Sequence, residues 1–149
     1  MKPQVLKGDY QGTKSEASEA EIAGMKLITP AMVKDLSELK TFAAPPQQIK
    51  DVIQAVFILL GKKNSSWKDF LAAAKNPLPF LQRMARVDPS KITPRLLASL
   101  QEITSDPQFN RKELMKKSAA AGTLCEWVLR MEQLALDAGV KPTKAKQTQ

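Results

Sequence analysis

The chain has 149 residues, 43% hydrophobic and 26% charged, a composition that suits one domain with a core of its own. One cysteine rules out an internal disulfide, and the absence of histidine removes the commonest general base and metal ligand. Residues 1–44 hold six basic and six acidic side chains, so the whole net charge of +8 falls on residues 45–149 and implies a polyanionic partner.

In chain order, Met1–Ala23 places Pro3, Gly8 and Gly12 among polar residues, with Val5, Leu6 and Tyr10 as its bulky apolar groups. This reads as an arm that is mobile or wrapped on a partner. The arm is taken as residues 1–28 and the folded domain as residues 29–140. Thr29-Pro30 reads as a cap and a first-turn proline, opening a helix to about Thr41 with Met32, Leu36 and Leu39 on one side. Pro45-Pro46 breaks the chain and starts the next helix, Pro46–Leu60. There Ile49, Val52, Ile53, Val56, Phe57 and Leu60 follow helical spacing, and Gly61 suits the position just past the end. The breadth of that apolar face predicts a central helix.

Ser65 or Ser66 caps a helix from Trp67 to about Lys75, with Asp69 in its first turn and Pro77 and Pro79 as stops. Phe80, Leu81, Met84 and Val87 form a short helix or turn. Thr93-Pro94 opens a helix through Thr104. Asn110 and Glu113 have capping-box spacing, and Arg111, Lys112, Lys116 and Lys117 then set four cations within seven residues. Ser118 to Gly122 carry so little side-chain bulk that two backbones can approach closely. Leu124, Trp127, Val128 and Met131 give the last helix, Ala119–Ala138, its apolar stripe, and Gly139 and Pro142 end it. Residues 141–149 read as a basic flexible tail.

No alternating strand pattern and no internal repeat is present. The expectation is an all-α fold, a bundle of six or seven short helices, with Ile53, Val56, Phe57, Leu100, Trp127 and Val128 buried together. Trp67 and Trp127 read as core anchors. Cys125 lies on the apolar stripe and reads as a reduced, buried thiol of an intracellular protein. No apolar run approaches the 18 residues of a membrane span, and the first residues lack the apolar core of a secretory signal.

Catalysis finds no support. The nucleotide-binding, metal-protease, dithiol and serine-hydrolase motifs are absent, and Asp35 with Glu38 reads as a surface or capping pair. No cofactor, no metal and no enzymatic activity are expected.

Several segments stand in a recognisable order: Asp35-Leu-Ser-Glu-Leu-Lys-Thr-Phe, Pro45-Pro46, Val56-Phe-Ile-Leu-Leu-Gly, Ser66-Trp67-Lys68, Phe80-Leu81, Val87-Asp88, Ile92, Asp106-Pro107, Phe109-Asn110 and Ser118-Ala-Ala-Ala-Gly-Thr-Leu-Cys-Glu-Trp-Val. Together they resemble the microtubule-binding domain at the tip of the dynein heavy-chain stalk, and the axonemal type more than the cytoplasmic. The resemblance covers about Leu36 to Val140. It implies a non-catalytic contact with tubulin through Lys40 and Lys50 around the Pro-Pro turn, Arg83 and Arg86 after Phe80-Leu81, and Lys112, Lys116 and Lys117 before the Ala-rich joint. Relatives often carry a basic or neutral residue where this chain has Glu126.

The stalk's long coiled-coil arms have no counterpart in apolar heptads before Ala23, and ten residues follow Gly139. The expectation is therefore a small stand-alone protein of cilia or flagella, located in the axoneme and lacking the motor. Its arm would attach it to other axonemal proteins. An excised stalk tip is the other origin such a chain could have. Two competing readings are a scaffold subunit of an axonemal complex without tubulin contact, and a basic helical domain for nucleic acid, which rests on charge alone.

Overall fold

The computed structural model describes residues 19–62 and 65–143. Among them the chain forms eight α-helices and no strand. The helices are α1 (Glu19–Met25), α2 (Met32–Lys40), α3 (Gln47–Leu59), α4 (Trp67–Ala74), α5 (Pro77–Ala85), α6 (Pro94–Thr104), α7 (Arg111–Met115) and α8 (Ala119–Asp137), with a 3-10 turn at Pro89–Lys91 before α6.

The core is built around α3 and α8. Eight residues of α3 are buried, Ile49, Val52, Ile53 and the run Ala55–Leu59, because its apolar positions occupy nearly the whole circumference. The 19 residues of α8 make a rod of about 28 Å. It packs against α1, α2, α3, α6, α7 and the 3-10 turn. Ile53, Val56, Phe57, Leu100, Trp127 and Val128 all fall in the one core cluster, as expected. A second focus is aromatic. Phe80 of α5 meets Phe57 of α3 at 5.7 Å between ring centroids and Phe70 of α4 at 6.4 Å, and Trp67 lies 4.9 Å from Phe70.

Both glycine stops close their helices as read from the sequence. Gly61 has φ +94°, its N–H donates to the Ile58 carbonyl, and the Lys62 N–H donates to Phe57. Gly139 repeats the pattern at φ +95°, donating to Leu136 while Val140 donates to Ala135. Only a residue without Cβ takes this left-handed geometry at no steric cost. Neither position crowds a neighbour, so conformation alone selects glycine there.

Several expectations are corrected. Among the described residues there are eight helices: α2 to α8 make the seven expected of the domain, and α1 is an eighth. The arm expected through residue 28 contains α1, which packs on α8, α5 and the 3-10 turn. A Cβ at the buried Gly24 would lie 3.1 Å from Met131 Sδ, so its absence lets α1 lie close on α8. Thr29-Pro30 forms a turn, and α2 starts at Met32 with no side-chain cap. Pro77 begins α5 at its first turn instead of only stopping α4, since a residue without an N–H fits where that N–H has no helical partner. The reciprocal capping box is at Ser66 and Asp69, not at Asn110. Asn110 Oδ1 does accept from the Glu113 N–H at 2.8 Å, but the Asn110 N–H donates to Gln108. The expected tail from residue 144 onward, and Met1–Ser18 with Val5, Leu6 and Tyr10, lie outside the described residues.

Candidate functional site

The two ends of α3 each gather cations. At its N-terminal end, Gln48 shares a small recess with Gln108, Glu113, Leu114, Lys116 and Lys117. The joint between α7 and α8 therefore sits against the start of α3. Gly122 sets how closely α7 and α8 approach, because a Cβ there would run into Met115 Sδ and Cγ. Ser118 fixes the turn between them. Its Oγ accepts from the Ala121 N–H at 3.3 Å, capping α8, and donates to Glu38 Oε2 at 2.9 Å. That bond crosses 80 positions of sequence and ties the end of α2, where Lys40 stands, to the start of α8.

All seven residues carried over by resemblance are exposed. Lys50 projects from the first turns of α3 beside a hollow of about 220 Å³ that Asp51, Ser65 and Trp67 also line. Lys116 and Lys117 stand at the recess between the α7–α8 joint and the start of α3, Lys112 lies on α7, Lys40 ends the helix tied to that joint by Glu38, and Lys50 lines a separate hollow with the start of α4. Arg83 and Arg86 do not join them. They line a cleft with Leu59, Leu60 and Gly61, at the opposite end of α3. The 13 residues of α3 set its two ends about 20 Å apart.

Part of the basic charge at the joint is answered locally. Arg111 Nε pairs with Glu126 Oε1 at 3.1 Å, both about half exposed, and Lys116 Nζ pairs with Glu113 Oε2 at 3.3 Å. Lys112 and Lys117 form no ion pair with a described residue. Sequence reasoning noted the sign of Glu126 but not its partner. The spacing of Arg111 and Glu126 carries no local signal, since they lie on different helices.

The ionisable groups with shifted pKa values point to structure. Burial pushes the Cys125 thiol up to about 12, aided by the nearby Glu126 charge, so it is un-ionised and unreactive at neutral pH. The Ser66 backbone N–H holds the Asp69 carboxyl below its ordinary value, as a capping acceptor should be held. Burial first, then Glu38, raise Asp35. Among the described residues no cluster of three metal-ligating side chains is present, and no helix is long and apolar enough to cross a membrane.

The sequence of this chain matches a known family. Residues 9–144 match the family described as the microtubule-binding stalk of the dynein motor. The chain belongs to that family. The match starts at residue 9, so much of the segment read as an arm unlike a stalk falls inside the family's span. The ciliary dynein beta chain of Tripneustes gratilla is 33% identical over 120 residues, 77% of this chain and 3% of that one. The dynein-1-beta heavy chain of the flagellar inner arm I1 complex of Chlamydomonas reinhardtii is 33% identical over 137 residues, 88% of this chain and 3% of its own. The axonemal dynein heavy chain 2 of Homo sapiens is 31% identical over 135 residues, 89% and 3% respectively. The chain thus spans about 3% of the length of these relatives. No solved structure matches it.

Proposed function

We propose that this stalk domain is a non-catalytic microtubule-binding module of cilia or flagella. It would engage the acidic surface of tubulin through the α7–α8 joint and the adjoining start of α3. The observation that carries the reading is the exposed pair Lys116 and Lys117 at the recess between the α7–α8 joint and the start of α3, with Lys40 on the end of α2 that the Ser118–Glu38 bond ties to that joint. Long lysine stems reach carboxylates while their charged heads remain in water. Each exposed pair contributes about 0–1 kcal/mol, so affinity must rest on several pairs and weaken with salt. Arg83 and Arg86 lie outside this group.

The relatives named above are ciliary, flagellar and axonemal dyneins, which supports an axonemal location. Residues before α1 are proposed to attach the module to other axonemal proteins. Co-sedimentation with microtubules at increasing ionic strength, with intact and with tail-cleaved tubulin, tests the contact. Pelleting that falls steeply with salt supports it. Pelleting absent even at low salt would favour a scaffold role, a reading to which the ion pairs of Glu126 and Glu113 lend weight by reducing the free charge of the joint.

A further inference from the structure

Met115 closes α7 immediately before Lys116 and Lys117, and its side chain lies against α8 at Gly122. A Cβ at Gly122 would run into its Sδ and Cγ, so the thioether takes up the space that the missing side chain leaves. Met115 is nevertheless 38% exposed. The chain has six methionines. Met32, Met84 and Met131 are buried in the core, Met25 is 47% exposed on α1, and Met1 lies outside the described residues. Met115 is thus the exposed methionine of the α7–α8 joint. The thiol of Cys125, one turn further along α8, is buried and un-ionised at neutral pH.

This position couples two properties. A thioether is apolar and pliable, and it suits a tight slot beside a backbone. A sulfoxide is polar and hydrated, so it does not keep a dry contact with Gly122. The contact it would give up sets how closely α7 approaches α8. The Lys117 and Ser118 N–H groups both donate to the Leu114 carbonyl, so the turn that carries the two lysines hangs from the end of α7.

We infer that Met115 is a site of reversible oxidation by peroxide, and that its sulfoxide weakens the contact at the α7–α8 joint. The step balances. The sulfur gives up two electrons and takes one oxygen atom as the O–O bond of hydrogen peroxide breaks, and the other oxygen leaves as water. Sulfoxide reductases return the thioether at the expense of a dithiol. The effect on binding rests on the proposed tubulin contact; the selective oxidation of Met115 over the buried methionines does not.

The test treats the purified protein with hydrogen peroxide, removes the peroxide, maps the sulfoxides by peptide mass spectrometry and then measures pelleting with untreated microtubules. Met115 should convert well before Met32, Met84 and Met131. Microtubule affinity should fall by about tenfold, the size of a typical coupling between two sites. Met115→Leu keeps the volume and the apolar surface without a sulfur, so it should bind like the unaltered protein and lose nothing on treatment. Met115→Gln, a polar side chain of similar length, should bind as weakly without treatment as the oxidised protein does. Methionine sulfoxide reductases with a dithiol should restore the treated protein. Thermal melts establish that every sample is folded. Oxidation of Met115 no faster than that of the buried methionines would overturn the site itself. Full conversion of Met115 with undiminished pelleting, or an equal loss in Met115→Leu, would overturn the link to binding and leave the proposed contact standing. Untreated protein that does not pellet even at low salt would refute the proposed contact and the link together.

Discussion

The two ends of α3 carry similar charge and are built differently. At its start, Lys116 and Lys117 stand at a small recess that Gln48, Gln108 and Leu114 also line, and acidic neighbours partly answer the charge of the joint. At its end, two arginines and a lysine rim a shallow, open surface walled by Leu60, Val87 and Leu96. The contrast teaches that net charge says a polyanion is wanted but not which one. What lies beneath the cations differs between the ends: amide and acidic side chains at the start, and half-buried Leu60, Val87 and Leu96 at the end.

The largest expected effect destroys both ends together. Trp127 is 2% exposed at the centre of α8, and its replacement by alanine should cost about 3–5 kcal/mol in urea unfolding. Microtubule binding should be lost with the fold. Undiminished pelleting by the unfolded variant would mean that the contact does not depend on this core.

Gly122 separates the ends more finely. Gly122→Val should drive its side chain into Met115, cost about 1–3 kcal/mol and displace α7 from α8. Microtubule pelleting should weaken. Ser118→Ala acts on the same end by removing the α8 cap and the link to Glu38, and it should cost about 1 kcal/mol in the same unfolding assay.

The smallest effect on stability should come from Glu126→Lys, which breaks an exposed pair worth about 0–1 kcal/mol. It releases Arg111 and adds a cation beside the joint, so microtubule affinity should rise while the melting temperature hardly moves. A fall in affinity would place the contact elsewhere.

Proton linkage gives a check on the frame that holds the ends. Asp69 has its pKa lowered by the Ser66 N–H, so its capping contribution is present above the unfolded value near 3.8 and is lost as pH falls through the lower folded value. Asp69→Asn should flatten that part of the acid limb of a pH-stability curve. Cys125, raised to about 12, contributes the opposite limb: stability falls as pH rises from the ordinary thiol value of 9.0 toward the folded one.

Much of the frame was legible because its signals are local. The central helix showed as an apolar repeat between Pro46 and Gly61, and both glycine stops were read at their true positions. The α1 helix was not legible. It is seven residues long, leaves Ile22 and Met25 exposed, and docks through the absence of a side chain at Gly24, a tertiary reason with no periodic signature. Pro77 was misread because proline both ends one helix and opens another. The candidate site was legible as a set of exposed cations but not as two groups. Their division depends on which end of α3 faces α5 and which faces the α7–α8 joint, and that is set by contacts distant in sequence.

The central claim is that the start of α3 with the α7–α8 joint is the microtubule contact. The most direct test compares pelleting at low salt of the unaltered protein, Lys116→Glu with Lys117→Glu, and Arg86→Glu with Lys91→Glu, all shown to be folded by thermal melts. The prediction is a loss of about tenfold or more in affinity for the first variant and little change for the second. Undiminished pelleting of the folded Lys116/Lys117 variant would contradict the account.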